Sequence, residues 1–234
     1  MSEHINTIAN PIYFFRVSSL SHSEICSKRS KIEVFTKFNN QFVSGTIAYG
    51  NKFHFNFSHP LKSFDRAKLR YTLGMSDYNG NETRKVFKKQ IEDVEVRGTP
   101  DDFRIYEYQG KKYTSLIEIK TTSLAYMWSL EVKAAIRQLQ LYMYLMKDDL
   151  EKAGYPLWKR GYLEIYSQHS GKLIRRIPVE YDYEIEDWVR EVINKFKGLS
   201  KVSPPAYSYC KKCPVQVKQK CDWYSLRKKE KELI

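Results

Sequence analysis

Asp101 is followed on the next alternating run by Glu118-Ile119-Lys120. Two carboxylates and a lysine on adjacent strands can hold a divalent cation and activate a water. Glu118 and Lys120 are two residues apart, so in a strand they leave the same face, while Ile119 points the other way into a core. Magnesium and manganese take oxygen ligands, which Asp101 and Glu118 would supply. A cation held there lowers the pKa of a bound water and stabilises a phosphoryl transition state. Lys120 would orient the nucleophile or offset charge building on the phosphate. The competing reading makes Thr99-Pro100-Asp101-Asp102 an ordinary turn and Glu118/Lys120 a solvated strand face. Asp102 is a second candidate ligand beside Asp101.

Other residues add to this set. A neutral imidazole at His54 can join a carboxylate metal site, and Gly50 one helical turn earlier allows close approach to a sheet; a structural histidine is the alternative. Gln138 and Tyr142 lie four apart on one helical face and could steady a nucleotide, or be a surface amide and a core phenol. Cys210-Lys211-Lys212-Cys213 is a C-x-x-C pair, with Cys221 eight positions on and Cys26 near the other end. Such thiols suit a four-thiolate centre, either zinc or iron–sulfur; disulfides are the third option.

These groups need a scaffold. Ser21-His22-Ser23-Glu24 reads as a capping box opening a helix that carries Cys26 toward Phe38. A second helix is expected over about 44–57, stopped by Pro60, then a short helix and a loop around Tyr78-Asn79-Gly80-Asn81. Alternation begins near Lys85 and covers Val94–Arg97 and Phe103–Tyr106. Gln109-Gly110-Lys111 turns the chain into the strand Tyr113–Thr122. A long helix over about 129–152, a hairpin over 161–181 turning at Ser170-Gly171, and an amphipathic helix over 185–197 follow. Ser203-Pro204-Pro205 marks a linker before the cysteines and a basic tail.

The 234 residues fit one sizeable domain, and 42% hydrophobic content excludes wholesale disorder. A formal net charge of +13 favours a polyanionic partner. No run approaches the length of a membrane helix and no signal peptide is evident, so the chain reads as cytoplasmic, with no membrane partner.

In order, Gly50-x-x-x-His54, Gly98-Thr99-Pro100-Asp101, Glu118-Ile119-Lys120 and Gln138-x-x-x-Tyr142 resemble the RecB-like branch of the PD-(D/E)XK nucleases. Cys26 before that core and Cys210, Cys213 and Cys221 after it resemble its iron–sulfur subset, the CRISPR-associated protein four family most closely. The likeness runs from about residue 20 to 224. It implies an α/β fold: a restriction-endonuclease-like mixed sheet flanked by helices, with a core over about 44–200. A cysteine-ligated subdomain from both chain ends (about 20–43 and 201–234) would carry a four-iron, four-sulfur cluster.

It further implies a magnesium- or manganese-dependent exonuclease degrading single-stranded DNA ends, in the 5′-to-3′ direction, and trimming prespacers for a CRISPR integrase complex. His54, Asp101, Glu118 and the Ile119 carbonyl would bind metal, Lys120 would be the catalytic lysine, and Gln138 and Tyr142 would belong to the site. The spacing from Cys213 to Cys221 is longer than that subset's common pattern. Lys211, Lys212, Arg227 and Lys228 are candidates for a single-strand path, against a solvated tail. The alternatives are a stand-alone or virus-encoded repair or recombination exonuclease of the same branch, and a non-catalytic DNA-binding scaffold.

Overall fold

The break in alternation at Thr99-Pro100-Asp101 divides the strands into two mixed sheets. The computed structural model describes residues 13–35, 64–83, 85–123, 127, 129–197, 210, 213–222 and 224. In the smaller sheet, β1 (Tyr13–Arg16) pairs parallel with β3 (Val94–Gly98), which pairs antiparallel with β2 (Phe87–Ile91). In the larger, β4 (Asp102–Tyr108), β5 (Lys111–Thr122), β6 (Arg160–Ser167) and β7 (Leu173–Glu180) follow in spatial order. β5 and β6 are parallel, and both outer pairs are antiparallel. Pro100 has no N–H to give a ladder, so the chain leaves one sheet before joining the other.

β4 returns into β5 through Gln109 and Gly110, whose φ angles of 51° and 71° match a two-residue hairpin turn. Thr114 to Ile119 of β5 are all buried, as a strand covered on both faces requires. The parallel step to β6 needs a crossover, and α4 (Ser129–Lys152) supplies it. The expected stripe of Leu139, Tyr142, Met143 and Met146 is buried, and so are Leu141, Tyr144 and Leu145. This wider burial arises because α4 packs against both sheets as well as α1 (Val17–Ser21) and α5 (Ile185–Lys197). Among the described residues no helix is long and apolar enough to cross a membrane.

Helices at 64–72 (α3), 129–152 and 185–197 stand where the periodicity predicts. The N-terminus differs. Ser21 does not cap a helix: it ends α1 in helical conformation, and its Oγ donates to the Ser18 carbonyl at 2.9 Å. Val17 and Leu20 are fully buried and draw the helical turn ahead of the capping signal. A short 3-10 turn (His22–Glu24) follows, and Cys26 then precedes α2 (Ser27–Phe35). β1 has no counterpart in the sequence reading, because four residues carry too little alternation to stand out.

The chain ends meet. Lys28 pairs with Asp222 at 3.0 Å, Lys31 donates to the Phe196 carbonyl, and α2 touches both α5 and α6 (Val215–Gln219). Arg137 of α4 joins Glu24 at 3.1 Å to Asp182 at 2.6 Å. The expected helix over 44–57, with Gly50 and His54, lies outside the described residues, as do Ser203-Pro204-Pro205 and the tail lysines and arginines.

Gly98 is the tightest approach between the layers. A Cβ there would stand 2.6 Å from the Tyr142 ring and 3.1 Å from Val17. Gly98→Ala is therefore expected to lower stability by about 1–3 kcal/mol. Urea unfolding checks this, and Gly98→Ala/Tyr142→Leu should recover part of the loss. Unchanged stability in the single variant would count against the close packing.

Candidate active site

β4 begins at Asp102, so Ile119 near the end of β5 has no β4 residue to receive its N–H. The Asp101 carboxylate takes that place, accepting the Ile119 N–H at 2.8 Å. A carboxylate is thereby anchored at the mouth of β5 by a charge-assisted hydrogen bond. Glu118, one residue earlier on β5, is 0% exposed. Its Oε1 accepts a hydrogen bond from Lys120 Nζ at 2.5 Å. Lys120 Nζ also donates to Gln138 Oε1 of α4 at 3.1 Å, and Gln138 Nε2 donates to Tyr142 Oη at 3.2 Å.

One hydrogen-bonded line thus runs from Glu118 through Lys120 and Gln138 to Tyr142. Full burial of Glu118 removes the solvated-face reading of the strand. Ile119 points to the opposite face and packs with Ile117 and Tyr166, as its parity requires.

The charges agree with the geometry. Burial works against the Lys120 ammonium, but Glu118 and Asp101 outweigh it and hold its pKa above the usual lysine value. Burial drives the Tyr142 phenol well above its ordinary range, with Glu118 and Asp101 adding to the rise. At neutral pH Lys120 therefore stays an ammonium and Tyr142 a protonated phenol, beside the Asp101 and Glu118 side chains. That donor set fits a hard divalent cation, with two carboxylate ligands and the rest of the shell left to water and phosphate. Among the described residues no three His, Cys, Asp or Glu side chains gather as a ready cage, and His54 lies outside those residues.

Asp102 separates from Asp101. Its buried carboxylate accepts a hydrogen bond from Arg66 of α3, forming an ion pair. Burial pushes its pKa up while Arg66 pulls it back. Asp102 thus fixes α3 to the edge of the larger sheet.

The sequence reading missed several groups. Glu164, opposite Ile119 across the parallel ladder, is 1% exposed. It accepts from Arg104 at 2.9 Å, Arg176 at 2.8 Å and Tyr166 at 2.6 Å, tying β4, β6 and β7 together behind the site. An acid between Leu163 and Ile165 was the available signal. Among the described residues, His22 lies within electrostatic reach of Lys120. Burial and Arg29 lower its pKa, Lys120 adds a smaller push, and Nδ1 lies 2.5 Å from Glu33 Oε2.

The four cysteines are half-buried, and none of them is in a disulfide. Burial raises the Cys26 thiol, with Cys221 and Cys210 adding to the rise. Burial likewise pushes Cys213 up to about 11, with Cys26 and Cys221 contributing. The four sulfurs share one electrostatic neighbourhood, yet they are not gathered into a metal-binding group. The expected cysteine-ligated subdomain is not displayed in this arrangement.

Residues 48–218 match the family profile described as the PD-(D/E)XK nuclease superfamily. Among solved structures, the fold is similar to that of SSO0001, with 16% identity, 96% of this chain and 89% of that chain covered, and a TM-score of 0.52. A Eubacterium rectale protein named "Putative exonuclease" aligns at 10% identity over 88% of this chain and 89% of its own, with a TM-score of 0.46. Among curated protein sequences none matches the chain.

The two adjacent aspartates should separate on mutation. Asp102→Ala strands the Arg66 charge and is expected to cost about 3 kcal/mol. Asp101→Asn keeps an acceptor for the Ile119 N–H and should cost about 1 kcal/mol or less. Urea titration of both variants tests the assignment, which fails if the order is reversed.

Proposed function

The chain belongs to the PD-(D/E)XK nuclease superfamily, and we propose that it is a magnesium- or manganese-dependent exonuclease acting on single-stranded DNA ends. The observation that carries this reading is the Lys120 ammonium, held between the buried Glu118 carboxylate and Gln138 with Asp101 alongside. A bound magnesium or manganese ion would supply an activated water and charge stabilisation at the phosphate. Asp101 and Glu118 would hold it, with His54 and the Ile119 carbonyl as further donors.

The chain's own residues then have distinct tasks. Lys120 stays charged, so it cannot accept a proton from water; it stabilises negative charge developing on the phosphoryl oxygens. Gln138 fixes the ammonium in place and passes that constraint to Tyr142. The Tyr142 phenol keeps its proton and can donate a hydrogen bond toward a phosphate or nucleoside group. Gly98 lets this phenol lie directly beneath the chain that leads to Asp101.

The finer reading, a role in CRISPR adaptation with a four-iron, four-sulfur cluster on Cys26, Cys210, Cys213 and Cys221, is part of the same proposal. It is supported by four half-buried thiols in one neighbourhood and by the contact of α2 with α6. Digestion from the 5′ end belongs to it as well.

Purified without oxygen, the protein should shorten end-labelled single-stranded DNA with magnesium or manganese and not with chelator. Asp101→Ala, Glu118→Gln and Lys120→Ala should each lower the rate by about a hundredfold or more. No shortening with either ion would overturn the nuclease reading. Visible absorbance should be present, lost in Cys210→Ala and kept in Lys120→Ala. A colourless protein containing stoichiometric zinc would replace the iron–sulfur reading alone.

A further inference from the structure

The outer face of the smaller sheet carries a pattern that the catalytic line does not use. Phe15 of β1, Val94 and Val96 of β3, and Phe87 and Ile91 of β2 point inward and are buried. Alternation therefore sends Phe14 and Arg16, Glu95 and Arg97, and Lys88 and Gln90 to the opposite face. The register then fixes two rows. Arg16 pairs with Arg97 and Arg97 with Lys88, so three cations stand side by side across the three strands. In the next row, Phe14, Glu95 and Gln90 are neighbours.

A row of like charges in adjacent strands opposes folding, because directly paired cations repel. Only Glu95 offsets it within these rows, through a 3.4 Å pair with Lys88, which is 68% exposed. Phe14 is 48% exposed, and the Arg97 guanidinium lies over its ring at 4.3 Å. An exposed aromatic face beside closely set cations is the combination that holds single-stranded nucleic acid, stacking a base while neutralising phosphates.

Position ties the row to the site. Arg97 precedes Gly98, against which Tyr142 packs, and Asp101 is four residues further on. Even a fully extended chain spans no more than ~14 Å over that distance. Just before β2 stands Val86, which is 46% exposed, and beside it Thr99 Oγ1 donates to the Lys85 carbonyl at 2.6 Å.

We propose that Arg16, Lys88, Arg97 and Phe14 form a track that binds the backbone and one base of a single DNA strand whose end lies at the Asp101–Glu118–Lys120 site. This rests on the nuclease reading for the identity of that site, while the track itself can be tested by binding alone.

The test uses the full chain with Arg16, Lys88 and Arg97 all changed to Gln, and separately Lys88→Gln and Phe14→Ala. Fluorescence anisotropy with labelled oligothymidylate is recorded in calcium across a salt series. The triple variant should bind about tenfold or more weakly, with a log–log salt slope shallower by about 2; Lys88→Gln alone, exposed and easily tolerated, should shift it by about 0.7. Phe14→Ala should weaken binding with little change in slope. Hydrolysis of thymidine 5′-p-nitrophenyl phosphate, too short to reach the track, should be unchanged in all three, while cleavage of long oligothymidylate falls.

Wild-type affinity and slope in the triple variant, or in Lys88→Gln if the triple does not fold, would overturn the track. So would an equal loss on short and long substrates, or unchanged DNA binding accompanied by altered self-association. If the wild type hydrolyses neither substrate, the nuclease reading fails, and the salt slope still decides whether the face binds DNA.

Discussion

Complete burial of the Glu118 carboxylate is the constraint on which the rest of this structure depends. Removing an ionised carboxylate from water is tolerable only where a cation and hydrogen bonds replace the lost solvent. Lys120, two residues along the same face, is the cation, and its second bond to Gln138 fixes where the ammonium sits. Gln138 lies on α4, so the helix cannot shift along β5 without breaking the compensation for the buried charge. Breaking such a pair from one side costs roughly 3–5 kcal/mol. Chemistry and layer packing therefore share the same contacts: Leu139 and Met143 hold the helix down, and Gln138 and Tyr142 aim it.

A second balance operates behind the strand. Glu164 is as deeply buried as Glu118, but it has two arginines and a tyrosine. It is a satisfied structural acid that joins strands. Glu118 instead shares the Lys120 ammonium with Asp101, whose charge also acts on it. The two buried acids of one sheet thus have different surroundings: two arginines and a tyrosine behind, a lysine and a second acid in front.

Strong periodicity was readable over long segments. The 24 residues of α4 and the 13 of α5 stand where apolar spacing predicts, and the β4–β5 hairpin follows from Gln109-Gly110. Same-face placement of Glu118 and Lys120 was also legible, because parity in a strand does not depend on context. The motif favoured Asp101 over Asp102, because Asp101 stands three residues after Gly98; what tertiary structure adds is the separate partners, Arg66, remote in sequence, for Asp102 and the Ile119 N–H for Asp101. Ser21 shows the same limit, since a local capping signal yields to the burial of Val17 and Leu20. The cysteine spacing pointed to donors, but spacing cannot say how closely sulfurs from opposite chain ends approach.

The division into two sheets is the step that makes the site possible. Were β3 and β4 one continuous strand, the N–H of Ile119 would meet a backbone carbonyl and the Asp101 side chain would have no vacancy to fill. Pro100 interrupts the ladder, and Gly98 permits Tyr142 to close beneath the gap. Within β3, alternation sends Arg97 to the cationic row on the outer face and Gly98 toward the protein interior. Under the proposed track, a single strand on that face and the group beneath the junction would both be served by the short segment 97–101, which leaves β3 after Gly98 and enters β4 at Asp102.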